Sequence, residues 1–313
     1  MQAPDSDSAY DGLEVWRGSV NTWECDQMGH MNVRFYVARA SEGLAGVAAA
    51  LGLAGAFRSE AQATLRIKDH HIRFLREARA GAPLTMRAGI IEFGATHARI
   101  LQLLVHGGSG ELAASFQTVV EHVTSREGRP FAWSPDARAR ASDLVVEIPQ
   151  RAAPRSLGLA PPSGRASFAE AERLGLIPIA SGAFNAQDCD VFGRVNAEHI
   201  IGRVADGVPT LGAALAGDGP RPEGRGGAVL EYRLAYANWP RAGDCYEVRS
   251  GLIGFDDRAQ RLAHWMLDPA TGAAWATSEA VAISLNLAAR KIIPISEEAK
   301  AQLAGRIIPG LSL

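Results

Sequence analysis

The sequence predicts an α+β protein made of two copies of one unit, in each of which a long helix is wrapped by a curved antiparallel sheet. Three observations lead there. A segment running from Trp23 through Cys25, Asp26, Gly29, His30 and Asn32 to Tyr36 returns in altered form between Gln187 and Ile200, with Asp26, Gly29 and Asn32 matched by Asp190, Gly193 and Asn196 at an offset of 164 residues. Each copy leads into a helical pattern. After each helix come four strand-like stretches, and Gly81 and Gly110 among the first set match Gly243 and Gly272 in the second at an offset of 162.

In the first copy Tyr36, Ala40, Leu44, Val47 and Leu51 recur every three to four residues, which places them on one helical face and predicts that they are buried. The pattern extends to Leu53. Asn32 stands where an N-cap belongs, its side chain able to accept from the free amides of the first turn, and Asn196 holds the same place in the second copy. The second helix starts near Ala197 and meets Pro209, where a kink or break is expected because proline in a helix interior costs ~3 kcal/mol. The predicted strands are His71–Leu75, Leu84–Ile91, Ala98–Val105 and Leu112–Glu121, then Glu231–Tyr236, Asp244–Ser250, Arg261–Leu267 and Ala274–Ile283. Ser134 and Ser296 each open a short capped helix at the end of a unit. Pro149 to Pro162 holds four prolines and reads as the connection between units.

Length and composition agree. A chain of 313 residues with 47% hydrophobic content suits two domains of ~150 residues. With a formal net charge of −2 and dispersed basic residues, it lacks the electrostatic footprint of a nucleic-acid binder. Small-molecule chemistry is expected instead. The opening Met1–Ser8 carries acids and no apolar stretch, so no secretory signal is expected, and the apolar run Leu44–Phe57 is too short for a bilayer span of ~20 residues. A soluble cytoplasmic protein is the expectation. Cys25, Cys189 and Cys245 show no C-x-x-C spacing, so neither a zinc site nor a redox pair is expected, and no metal or cofactor is called for.

The pattern Asp26-x-x-Gly29-His30-x-Asn32-x-x-x-Tyr36, directly before a long helix, resembles two groups of hotdog-fold enzymes. These are the 4-hydroxybenzoyl-CoA thioesterase type and the tandem-hotdog acyl-acyl-carrier-protein thioesterases. The string from His70 to Gly81 also looks like the first strand after the hotdog helix. The resemblance implies two tandem hotdog domains, residues 15–142 and 178–304, joined by a linker at 143–177. It implies hydrolysis of an acyl-CoA, with acyl carrier protein as an alternative donor, and two units packed as an internal pseudo-dimer that is free to form a homo-oligomer. It further implies that the carboxylate at Asp26 is catalytic and that amides of the following helix N-terminus polarise the thioester carbonyl. In the second copy Arg194 replaces His30 and Ile200 replaces Tyr36, so one strong site is expected, with Asp190 as a relic or a wall of the pocket. Two other readings stand beside this one. The first is a hotdog hydratase or dehydratase, whose Gly-Asp-x-Asn-Pro pattern is absent; the second is a non-catalytic acyl-CoA binding module.

Residue by residue, the candidates divide between chemistry and structure. Asp26 can attack the carbonyl, act as general base on water, or simply close an Asp-x-x-Gly turn. His30 can orient water or donate a proton, or it can be a loop histidine bonded to backbone. Asn32 can cap the helix, take part in catalysis, or do both. Gly29 permits close backbone approach, and Tyr36 is a core residue or a substrate contact. Glu42 is assigned to substrate binding, although with Arg39 it also has the spacing of a solvated helix pair, as Asp206 has with Arg203. Asp190, Arg194 and Asn196 complete the substrate-binding set. Cys25 is expected to face away from Asp26, since neighbours on an extended segment alternate, and the same rule separates His70 from His71. Arg73, Arg76 and Arg79 can meet phosphates or sit on the surface.

Overall fold

The structure is a computed structural model and describes residues 10–216 and 224–313. It divides into two compact units, Met1–Ala153 and Pro154–Leu313. The first unit opens with β1 (Leu13–Ser19), passes through a 3-10 turn (Thr22–Glu24) and enters α1 (Val33–Ala50). Then come β2 (Ala63–Phe74), β3 (Pro83–Phe93), β4 (His97–His106) and β5 (Leu112–Thr124), followed by α2 (Pro135–Ser142). Within this unit the strands lie in the order β1-β3-β4-β5-β2, every pairing antiparallel. The second unit repeats the plan with α3 (Phe168–Arg173), β6 (Ile177–Ala183), a 3-10 turn (Ala186–Asp188) and α4 (Ala197–Ala216). It continues with β7 (Arg225–Tyr236), β8 (Cys245–Phe255), β9 (Ala259–Leu267), β10 (Ala274–Asn286), β11 (Lys291–Ile293) and α5 (Glu297–Ala304). Its order is β6-β8-β9-β10-β7, again antiparallel, with β11 on the far end of β10. Each unit is therefore a hotdog: one long helix and a five-stranded antiparallel sheet.

The helical stripe is buried as its period requires: Tyr36, Ala40, Leu44, Val47 and Leu51 all lie in the core. The helix stops earlier than Leu53. Its end is closed by the amide of Leu53 bonding back to the carbonyl of Ala48 at 2.8 Å, the six-to-one bond of a Schellman cap. Small residues let helix and sheet approach. A Cβ at Gly43 would lie 2.8 Å from Met86 Sδ, and one at Gly207, its counterpart, would lie 2.9 Å from the Ile179 backbone oxygen. Gln102 reaches from β4 to the helix, donating from Nε2 to the Ala40 carbonyl at 2.6 Å.

Two expectations are corrected. α4 runs from Ala197 to Ala216 through Pro209, so the chain does not break there; Val208, Pro209 and Thr210 are exposed, and the sheet does not crowd the ring. β2 and β7 begin well before His71 and Glu231, adding Ala63–His70 and Arg225–Leu230 to the ladder. Parts of the stretch read as the linker pack against the sheets. Val146 and Leu144 bond to Ile90 of β3, and Ala152 sits against Leu101, Leu103, Val105 and Leu112 on the sheet face away from α1. In the second unit the buried carboxylate of Glu231 accepts from the amides of Arg155 (3.0 Å), Ser156 (2.8 Å) and Leu157 (3.3 Å). Beside it Arg233 donates to the carbonyls of Gly158 (2.9 Å) and Ala160 (2.6 Å). The prolines remove regular structure there, and β7 supplies the partners instead.

Two stability tests follow from this packing. Gly207→Ala should lower stability by about 1–2 kcal/mol in urea denaturation, since overpacking at 2.9 Å outweighs the gain in helix propensity; a gain in stability would refute the close approach. Burial pushes His264 down to about 4 and His70 to about 3. A histidine kept neutral in the fold binds no proton where the unfolded chain does. Stability should therefore fall as pH drops from about 6.5 toward about 4, and His264→Gln, which installs the residue its counterpart Gln102 carries, should make that fall shallower. An unchanged pH dependence in the variant would remove His264 from the account.

Candidate active site

The site is built on a buried carboxylate. Glu24 ends the 3-10 turn that leads into the Asp26 loop and is only 1% exposed. Its Oε2 accepts from Asn21 N at 2.7 Å and Asn21 Nδ2 at 3.3 Å, and its Oε1 pairs with Arg39 of α1. Its backbone carbonyl accepts from Asn32 N at 2.8 Å. One residue thus closes the base of the loop through its main chain and ties it to the helix through its side chain. The Arg39 guanidinium also lies over the Trp16 ring at 5.3 Å and pairs with Glu42. In the second unit Asp188 does the same work: it accepts from Asn185 N (2.9 Å), Arg203 (3.3 Å) and His199 Nδ1 (3.0 Å), and its carbonyl takes the Asn196 amide at 2.9 Å. Arg39 and Arg203 therefore bind a buried acid first, and Glu42 and Asp206 are their outer partners.

Between these anchors the chain makes a tight turn. Asp26 N donates to the His30 carbonyl (2.8 Å) and Gly29 N to the Asp26 carbonyl (2.9 Å), while Gly29 takes φ +76°, open to glycine without strain. Gly29 serves the turn; a Cβ there would meet nothing within 4 Å. The Asp26 side chain completes the turn with one oxygen, Oδ1, which accepts from Met28 N at 2.8 Å and His30 N at 3.3 Å. Its Oδ2 accepts no hydrogen bond among the described residues. The Asp190 loop has the same frame, with Oδ1 accepting from Phe192 N (2.8 Å) and Arg194 N (2.9 Å). Its second oxygen is taken. Arg194 Nε donates to Asp190 Oδ2 at 3.2 Å, and Arg241 Nη1 reaches the Phe192 carbonyl at 3.4 Å.

Other candidates fall into place around the first loop. His30 is buried and its Nε2 lies 3.2 Å from a carboxylate oxygen of Glu77, a residue that sequence reasoning passed over inside the charged string Arg76–Arg79. The same strand end zips onto the loop, with Met31 N donating to the Ala78 carbonyl at 2.8 Å. Tyr36 is in the core: its hydroxyl accepts from Ala78 N at 3.2 Å and its ring meets Phe74 edge-on. Burial, with smaller contributions from the nearby Cys25 and Asp26, pushes its hydroxyl up to about 12. Asn32 caps α1, its Oδ1 accepting from Arg34 N at 3.0 Å. Of the amides from Gly29 to Val33, four are committed to Asp26, Ala78 and Glu24, and Val33 N has no acceptor among the described residues. Cys25 is half-buried, its thiol 3.6 Å from the Asn21 carbonyl.

The other candidate residues have settings of their own. Arg73 donates to the carbonyls of Arg151 and Ala153, and Arg76 pairs with Glu111, while Arg79 is exposed. His70 is buried against Phe116. Among the described residues no group of three or more His, Cys, Asp or Glu side chains could hold a metal ion. No described helix is long and apolar enough to cross a membrane.

A family model described as "Thioesterase-like superfamily" matches residues 20–141 and 184–303, covering both loops, both long helices and, in each sheet, every strand after the first. The chain belongs to the thioesterase-like superfamily. Solved thioesterases share its double-hotdog fold along almost their whole length. A putative oleoyl thioesterase from Lactobacillus plantarum is 13% identical, with a TM-score of 0.64 over 89% of this chain and 98% of its own. An acyl-ACP thioesterase from Bacteroides thetaiotaomicron is 12% identical, with a TM-score of 0.62 over 85% and 96%. The 12:0-ACP thioesterase from Umbellularia californica is 11% identical, with a TM-score of 0.62 over 86% and 93%. No curated protein matches the sequence.

The buried pair can be tested in this superfamily member directly. Glu24→Gln leaves Arg39 beside a neutral partner and should cost about 3 kcal/mol in urea denaturation, as breaking a buried ion pair does. A loss below about 1 kcal/mol would mean that the pair behaves as a surface salt bridge.

Proposed function

We propose that the chain hydrolyses acyl thioesters to a free acid and a thiol, with acyl-CoA as the substrate class and Asp26 as the working carboxylate. The observation that carries this reading is the difference at one oxygen: Asp26 Oδ2 meets no donor among the described residues, whereas Asp190 Oδ2 is bonded to Arg194. A carboxylate fixed by two amides on Oδ1 presents Oδ2 in one orientation, and an oriented reactive group recovers much of the entropy of a bimolecular step. Oδ2 then attacks the thioester carbonyl, the C–S bond breaks and the thiolate leaves as thiol with a proton from water, and a second water cleaves the mixed anhydride to the free acid and the Asp26 carboxylate. Alternatively Oδ2 takes a proton from the water that attacks the carbonyl, and that proton leaves with the thiol. Both routes use the same atom.

Val33 N, at the positive end of α1, is the donor proposed for the developing oxyanion, a role worth ~10²–10³ in rate for a single donor. Glu77 holds the imidazole of His30 through Nε2, beside the carboxylate, where it orients the loop that carries Asp26. Asn32 acts by capping the helix that presents Val33. Gly29 and Tyr36 shape the approach to the carboxylate. Asp190, Arg194 and Asn196 carry no hydrolysis of their own in this reading. Acyl carrier protein is the second donor to try, since it delivers the same thioester.

Asp26→Asn should reduce thiol release from a cleaved acyl-CoA by about 10³-fold or more, while Asp190→Asn leaves it within a few-fold. Equal losses in the two variants would overturn the one-site reading.

A further inference from the structure

Trp23 is 76% exposed, more than any other exposed large apolar side chain among the described residues. An indole so placed contributes little to the fold, since most of its stabilising value comes from burial. Its position is fixed. It is the middle residue of the turn Thr22–Glu24, which the Asn21–Glu24 capping box closes and the Glu24–Arg39 pair fastens to α1. It stands three positions before Asp26, so the two lie within about 10 Å of chain. The second copy lacks it: Gln187 stands in its place, just as Arg194, Ile200 and Trp239 replace His30, Tyr36 and Glu77. An exposed indole therefore accompanies the open carboxylate and is missing where the carboxylate is capped.

We infer that Trp23 is the wall on which the pantetheine arm of the thioester lies, an inference that rests on the hydrolase reading above. The two sides of a thioester have different destinations. The acyl side is apolar and suits a protein interior, whereas the thiol side must lead back to water, because a nucleotide or a carrier protein follows it. A solvent-facing aromatic beside the carboxylate lies on that outward route. Pantetheine offers an indole what it can hold: planar amides for stacking and a gem-dimethyl group for apolar contact. CoA and acyl carrier protein share this arm.

The test compares Trp23→Ala and Trp23→Phe with the unsubstituted protein on one acyl group carried by CoA, by pantetheine, by acyl carrier protein and by N-acetylcysteamine, which lacks the pantoyl part. Trp23→Ala should raise KM by about 5- to 20-fold for the first three, with kcat and the N-acetylcysteamine ester changed by no more than about twofold; Trp23→Phe should keep most of the binding. A KM effect equally large on the N-acetylcysteamine ester would place Trp23 at the reacting end and overturn the inference. So would an effect confined to acyl-CoA or to the carrier-protein ester. Binding is read separately: free pantetheine should quench indole emission in the Asp26→Asn protein, and should quench it far less once Trp23→Phe is added. Quenching without any thioester hydrolysis in the unsubstituted protein would sink the hydrolase reading alone, and hydrolysis without Trp23-dependent quenching would sink this inference alone.

Discussion

The loop that carries Asp26 depends on one buried ion pair at its base. Glu24 would be very costly to bury alone, since a carboxylate taken out of water loses several kcal/mol that only a close cation and hydrogen bonds can return. Arg39 and the amide and side chain of Asn21 supply that return. The consequence is geometric. The turn before the loop, the residue after it and the second turn of α1 are held to one side chain, so the helix N-terminus and the Asp26 carboxylate cannot drift apart independently. The second unit shows how strongly this arrangement is required. Its acid is one methylene shorter, and there His199 joins Arg203 on the same carboxylate.

On that shared frame the two loops differ in what the second oxygen of the aspartate does. Oδ1 is a structural atom in both copies, spent on two amides that close the turn. An Asp-x-x-Gly segment therefore signals a turn wherever it occurs. The copies differ at Oδ2, and one substitution accounts for the difference: Arg194 places a guanidinium nitrogen on it, while His30 at the same position turns its ring to Glu77. The mismatch between the repeats is thus a difference in which carboxylate oxygen is available, more than a difference in fold.

The sequence made the repeat, the buried helical face and the caps at Asn32, Ser134 and Ser296 legible, because each of these is a local pattern with a fixed period or offset. The buried pair was not legible in the same way. Glu24 and Arg39 stand 15 residues apart, and Glu24 sits in a polar turn that reads as surface. A signal existed, since Glu24 and Arg39 are matched by Asp188 and Arg203 at the same offset as the aspartates, whereas a merely solvated pair has no reason to be repeated. Glu77 gave no such signal. Its partner lies 47 positions back, and its counterpart Trp239 has no charge to compare. Proline at 209 misled because a rule about backbone amides was applied without knowing that this face of α4 is in water.

The polar interior differs between the units in the same direction as the two aspartates. In β4, Gln102 spans sheet and helix, accepting from Thr118 Oγ1 at 2.9 Å and donating to the Ala40 carbonyl of α1. At the matching position in β9, His264 spends its Nδ1 on Ser250 of the neighbouring strand at 2.8 Å, and Tyr232 stacks beside it. The first arrangement couples the helix to the sheet; the second couples strand to strand. A catalytic carboxylate on a loop and an oxyanion donor on a helix need a fixed separation, and sub-ångström looseness between them erodes rate steeply. Glu24 sets that separation from the loop side and Gln102 holds the helix from the sheet side. The unit that keeps its second aspartate oxygen open is also the one whose helix is tied at both places.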